Sequence, residues 1–182
     1  MGNRYKDVLL TSEDTIKSYT NLNDNTSGEY ISPAIYMAQH SDLERIIGTK
    51  LTRKLQMLVS ENSIDYVEND YYRELLDDYV TDFLAYATIV RLIPIVSFKL
   101  GNSGIVRTDE EKVINMSYNE VFNIKDYYQN QADYLAYRLQ KYLLANYSKF
   151  PELSTYKTMD EIRATLTSSA SCGIFLGGER GK

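Results

Sequence analysis

One histidine, one cysteine and two pairs of adjacent acids are the residues of this 182-residue chain whose chemistry must be weighed first. His40 is the only histidine, so metal sites of the common His-rich kind lack their ligands. A Cys–His nucleophile pair would have to bring Cys172 up from the far C-terminal stretch. Di-iron helical bundles carry Glu-x-x-His pairs, and the chain has none. His40 itself reads as a helix-end residue. Asp77-Asp78 and Glu110-Glu111 are neighbours in sequence. Glycosidase chemistry needs two carboxylates at a set separation across a substrate, which adjacency does not supply. Adjacent acids on a helix are the pattern of a solvated face. "GNSG" (101–104) and "GGERG" (177–181) are glycine-rich, but neither has the spacing of a phosphate loop or a dinucleotide fingerprint. No nucleophile elbow occurs. The sequence therefore gives no support for an enzyme. No catalytic, metal or cofactor residues are expected.

The C-terminal stretch "SSASCGIFLGGERGK" (168–182) poses a different question. Ile174, Phe175 and Leu176 lie between Gly173 and the pair Gly177 and Gly178. Glycine costs a helix interior about 1 kcal/mol against alanine, so a helix is disfavoured here. So short an apolar strip cannot form a core of its own. It either packs back on the domain or docks on another chain. Docking is the expectation over 168–178, with Ser171, Cys172, Gly173, Ile174, Phe175, Leu176, Gly177 and Gly178 as the contact residues. Adding a strand to an exposed sheet edge is one way to do it.

The length suits one domain, or one domain with arms. Hydrophobic residues make up 43%, enough for a core. The net charge of −5 argues against broad, nonspecific nucleic-acid binding, which needs a basic face. A protein that faces DNA without gripping it is compatible with that charge. A single cysteine permits no internal disulfide and suits a reduced, cytoplasmic thiol. "MGNRYKDVLL" has no apolar signal core, and Lys6 stands where a myristoylation pattern wants Ser or Thr. "FLAYATIVRLIPIVSF" (83–98) contains Arg91 and Pro94 and is short for a membrane span, so it reads as a buried helix. Tyrosine is in excess, with 17 Tyr against 5 Phe and no Trp. A large ring with a polar tip suits half-buried and interface positions.

Helices must position whatever these residues do. "TSEDTIKSY" (11–19) has a capping start at Thr11 or Ser12 and acids in its first turn. Residues 21–28 read as a loop. In 32–62, Ser32 can cap and Pro33 suits a first helical position. Ser41-Asp42 reads as a second cap, predicting two helices with a break near His40. Gly48 weakens the second unless close packing demands a small residue. Over 69–98, Leu75, Leu76, Tyr79, Val80, Phe83, Leu84, Ala87 and Val90 trace one face of a central helix, which Pro94 should kink or end. Residues 117–147 form another long helix with the stripe Tyr118, Val121, Phe122, Tyr128, Leu135, Leu139, Tyr142 and Leu143. "KFPEL" breaks it, and "MDEIRATL" (159–166) offers a further helical turn. Residues 105–116 could hold a short strand or a loop. The expected class is mainly α: a small bundle of three to five helices with an extended N-terminal arm (1–30), a helical core (31–153) and a C-terminal arm and tail (154–182).

The order of "YISPAIYMAQHSDLERIIGTKL" (30–51), "YYRELLDDYVTDFLAYATIVRLIPIVSFKLGNSGIV" (71–106) and the tyrosine-rich helix 117–147 resembles the head–tail connector (adaptor) proteins of tailed bacteriophages. The resemblance covers about two thirds of the chain, and no catalytic signature anchors it. It implies an α-helical virion subunit at the head–tail interface, assembled in the host cytoplasm. It also implies a homo-oligomeric ring, commonly of twelve, beneath the portal. Such a ring extends the DNA channel toward a tail or second ring protein, and DNA passes without sequence-specific binding or a membrane. Under it, the tail residues 171–178 would contact the portal or a neighbouring subunit. The competing expectation is a helical binding or assembly-regulatory module outside the virion.

Overall fold

A computed structural model describes residues 7–23, 26–101, 104–107, 118–154 and 161–166. The fold is mainly α, with five helical rods among the described residues and one small hairpin.

Helix α1 (Glu13–Tyr19) starts where the sequence caps it. The Ser12 hydroxyl accepts from the Thr15 amide at 3.2 Å, and Glu13 and Asp14 fill the first turn. The next rod starts earlier than expected. Ser27, not Ser32, caps α2 (Gly28–Met37), its hydroxyl accepting from the Glu29 amide. Ser32 instead donates to the Glu13 carboxylate at 2.8 Å, tying α1 to α2, and Pro33 falls in the second turn.

The expected break near His40 is absent. The chain continues as a π-turn (Ala38–Leu43) into α3 (Glu44–Ile47). Asp42 is taken by Arg91 of the central helix instead of capping. The π-turn keeps Ala38, Gln39 and Leu43 buried. The break comes at Gly48, with φ +82° and ψ 157°, followed by α4 (Thr49–Ser60). Only glycine adopts that conformation readily.

The central rod runs from a 3₁₀ turn (Val67–Asn69) through α5 (Asp70–Leu75) and a π-turn (Leu76–Val80) to α6 (Thr81–Ser97). Pro94 does not end it. The helix runs on to Ser97 and forgoes the bond that an amide at 94 would have made. This rod is long and apolar enough to cross a membrane by length and composition. Its composition has a local cause: α6 serves two cores. Phe83, Leu84 and Ala87 pack with Leu43, Leu51, Leu55, Leu139 and Leu143. Ala85, Ile89 and Leu92 pack with Ile16, Ile31, Ala34 and Ile35. A hairpin follows, β1 (Phe98–Gly101) antiparallel to β2 (Gly104–Arg107), with Phe98 opposite Arg107 and Gly101 opposite Gly104.

Helix α7 (Tyr118–Ala145) crosses α6 through Ala132 and Ala136, whose small side chains permit close approach. Leu139 and Leu143 are buried beyond them, and Tyr142 stacks on Tyr79 with ring centroids 4.2 Å apart. "KFPEL" ends the helix with two 3₁₀ turns (Tyr147–Lys149 and Pro151–Leu153) around a fully buried Phe150. Residues 161–166 form no helical turn. Their backbone bonds to the α3–α4 corner, which an independent helical turn could not do.

The stretch expected as an arm (1–30) contributes Leu10 and Ile16 to the buried cores. The Gln39 side chain accepts from the Leu10 amide at 2.8 Å and donates to the Val8 carbonyl at 3.0 Å. Gln56 donates to the same carbonyl at 3.2 Å.

Candidate interaction surfaces

Helix α7 changes character along its length. From Ala132 onward its inward positions are buried, whereas none of residues 119–131 is. By helical rotation, Val121, Phe122, Lys125 and Tyr128 continue the same inward side. Leu135, Leu139, Tyr142 and Leu143 of the stripe read from the sequence are buried or half-buried, while its earlier described members are half-buried or exposed. Phe122 is 45% exposed, and Val121 and Tyr128 are half-buried. The Lys125 ammonium lies over the Phe122 ring, 5.7 Å from its centroid. On the opposite side, Ile124, Tyr127 and Tyr134 fall on one arc and are all exposed. The first half of α7 and Tyr134 thus carry exposed apolar side chains on two opposed faces.

A second feature is the strap, residues 161–166, seated on the corner at Gly48. A Cβ at Gly48 would stand 2.9 Å from the Ala164 amide nitrogen and 3.1 Å from the Ile162 carbonyl oxygen. The corner's free helix ends supply the bonds. The Thr49 amide, at the start of α4, donates to the Ile162 carbonyl at 3.0 Å. The Thr165 amide donates to the Arg45 and Ile46 carbonyls at the end of α3, at 3.2 and 3.1 Å. The Ile162 amide donates to the Thr49 hydroxyl at 2.9 Å, and that hydroxyl donates to Glu44. Gln140 of α7 donates to the Thr165 carbonyl at 2.8 Å. Glu161, 11% exposed, faces Lys50 at 3.5 Å and Arg53 at 3.9 Å. Sequence reasoning missed this site. Its one legible signal was Gly48 in the middle of a helical pattern.

The titratable candidates lie apart from one another. His40 sits in the first π-turn against the Tyr36 ring, with Nδ1 3.4 Å from Glu44. Asp42 and Arg91 form a two-pronged pair, one prong Nε to Oδ2 at 2.8 Å. That hydrogen bond, set against burial, raises the guanidinium pKa further. Asp77 and Asp78 are exposed on the second π-turn. Partial burial, then the charges of Asp78 and Asp65, raise the Asp77 carboxyl, and Arg73 opposes this. Asp82 is raised by burial against the pull of Arg138, 3.6 Å away. The hydroxyls of Tyr72 and Tyr142 are pushed well up, first by burial and then by Glu152 and Glu74 respectively. A cleft of about 480 Å³ lies between the start of α1 and the second π-turn, lined by Leu9, Thr11, Thr15, Tyr19, Asp77 and Thr81. No group of three or more His, Cys, Asp and Glu side chains placed to hold a metal ion occurs among the described residues.

The tail contact residues, Ser171 through Gly178, lie outside the described residues, as do Glu110 and Glu111. Residues 43–161 match the model of DUF6712, a family of unknown function. No curated protein and no solved structure matches the chain.

Proposed function

We propose, from the premise that the chain belongs to the DUF6712 family of unknown function, that it is a structural subunit of a ring at the head–tail junction of a phage particle. The observation that supports this reading is the exposed apolar side chains of α7, with Phe122 on one side and Ile124, Tyr127 and Tyr134 on the other. A closed ring with a heterologous interface needs two different surfaces on each subunit, one for each neighbour. Two opposed apolar faces on one helix meet that need, and the tyrosine excess suits surfaces that are wet until assembly.

The remaining roles follow from the resemblance of residues 30–51, 71–106 and 117–147 to head–tail connectors. The ring, commonly of twelve, would lie beneath the portal and meet a tail or second ring protein. It would act without catalysis or a cofactor. DNA would pass through its channel. A net charge of −5 suits a wall that lets DNA slide, because a basic wall would hold it.

The native mass of the endogenous complex tests this. Twelve copies of the 21.0 kDa chain give a ring of about 250 kDa. A ring or particle mass is the expected result. A stable monomer or dimer from the native source, with nothing bound, would reject the ring in favour of a free helical module.

A further inference from the structure

We infer that the cleft between the start of α1 and the second π-turn binds a primary alkylammonium group, its charge held by Asp77 and its apolar stem lying along Leu9 and Leu76. The inference goes beyond the ring reading and does not rest on it. At about 480 Å³ the cleft is in the size range of small-ligand sites. Its lining sorts the ligands it can take. The described residues that line it carry no cationic side chain, so an anion would find no charge to meet it. Asp77 is the one carboxylate among them. A hard metal ion wants several oxygen ligands, carboxylates prominent among them, and no such group occurs among the described residues. The remaining polar side chains are hydroxyls, with Thr11 and Thr15 on the α1 side and Thr81 on the other. A carboxylate, hydroxyls and leucine side chains together suit an organic cation.

Asp77 is also short of positive charge. Partial burial, then the charges of Asp78 and Asp65, oppose its ionisation. Arg73 works the other way, but its guanidinium is hydrogen-bonded to Asp70 at 3.0 Å. A cation in the cleft offsets that repulsion and gains a charge-assisted hydrogen bond. The Thr11 hydroxyl oxygen is shielded from solvent and has no hydrogen-bond partner among the described residues. A buried acceptor of this kind is unfavourable until something donates to it, and an ammonium carries three donors. The exposed Tyr19 ring adds an aromatic surface, which attracts a cation that reaches its face. Asp77 sits on a π-turn, a departure from regular helix that recurs at functional sites.

The same group is carried by a lysine side chain of another protein and by a free aliphatic amine. Titrating the full-length protein with N-acetyl-lysine methylamide and with 1,5-diaminopentane, followed by amide NMR shifts, tests the site and separates these sources. Both probes should shift the amides of Thr11, Thr15, Asp77 and Thr81 saturably. Dissociation constants should be on the order of millimolar, as small ligands with one charged contact allow. Tighter binding of the blocked lysine assigns the cleft to a lysine side chain, and tighter binding of the diamine assigns it to a free amine. Asp77→Asn should weaken both about tenfold. Asp65→Asn with Asp78→Asn should weaken them less than about threefold, because neither carboxylate lines the cleft. Circular dichroism checks that each variant keeps its helices, and the wild-type titration decides the matter if one does not. Shifts that stay linear to about 50 mM, or that spread over the acidic surface without favouring the cleft, overturn the site. Equal weakening by the two variants would reduce it to diffuse charge attraction and overturns it too. Propionate should leave these amides in place, and saturable binding of propionate there would overturn the charge assignment.

Discussion

Gly48 shows how much one residue can settle. It has φ +82° and ψ 157°, a region that side chains with a Cβ avoid, and the strap backbone crosses it at a distance that leaves no room for a methyl group. The two requirements are independent. The conformation turns α3 into α4, and the missing side chain admits Ile162 and Ala164. Gly48→Ala should therefore cost about 3 kcal/mol, from backbone strain and from displacement of the strap. At this chain size that corresponds to a fall in Tm of roughly 6–12 °C, measurable by calorimetry. A melt unchanged within a degree would mean that the corner relaxes freely and that neither requirement operates. Arg91 is a second such residue. It stands in an otherwise apolar helix, and the hydrogen-bonded Asp42 carboxylate satisfies its charge there.

Elements depart from their sequence signals where a tertiary contact outbids a local one. Ser41-Asp42 has cap chemistry, yet the rod continues because Asp42 bonds Arg91 and Gln39 must stay inside. Gln39 occupies the first π-turn and holds both the amide of Leu10 and the carbonyl of Val8, as a neighbouring strand would. Gln39→Ala leaves the buried Leu10 amide without that acceptor, at a cost of about 2–3 kcal/mol. Hydrogen exchange at Leu10 should rise by orders of magnitude while Leu84 and Leu139 stay protected. Uniform loss of protection would show instead that the N-terminal segment unfolds only with the whole bundle. The long rods were legible because their periodicity reports burial: Leu75, Val80, Phe83 and Leu84, and later Leu139 and Leu143, are inside as the spacing predicts. The strap was not legible. "EIRAT" has helical composition, and what holds it out of a helix is the set of free helix ends at Gly48, which no local pattern announces. The start of α2 was misplaced because Ser32 and Pro33 mimic a cap, while Ser27 provides the cap and Ser32 serves Glu13.

Among the described residues, the second half of α7 is buried along one side and the first half is half-buried or exposed, and that division separates stability from assembly. Ala132, Ala136, Leu139 and Leu143 hold the helix to α6, and Tyr128 packs on the second core beside Tyr86, while Phe122, Ile124 and Tyr127 are exposed. Substitutions at exposed sites away from caps and cores usually change stability by no more than about 0.5 kcal/mol. Phe122→Ser combined with Ile124→Ser and Tyr127→Ser should therefore leave the monomer's melting temperature nearly unchanged. Serine has nearly the same helix propensity as phenylalanine, isoleucine and tyrosine, so the exchange costs the helix little. If the two faces meet neighbouring copies, the same triple variant removes apolar contacts from both sides of every interface at once. Ring mass should then collapse to that of the monomer, because a closed ring multiplies each interface loss by the number of contacts. Single-face variants sharpen the test. Phe122→Ser alone should pair with wild-type chains through its intact face and poison closure in mixtures, and Ile124→Ser with Tyr127→Ser should do so from the other side. A triple variant that melts well below the wild type would place these side chains in the monomer's own stability. One that still forms rings would move the interface elsewhere on the molecule.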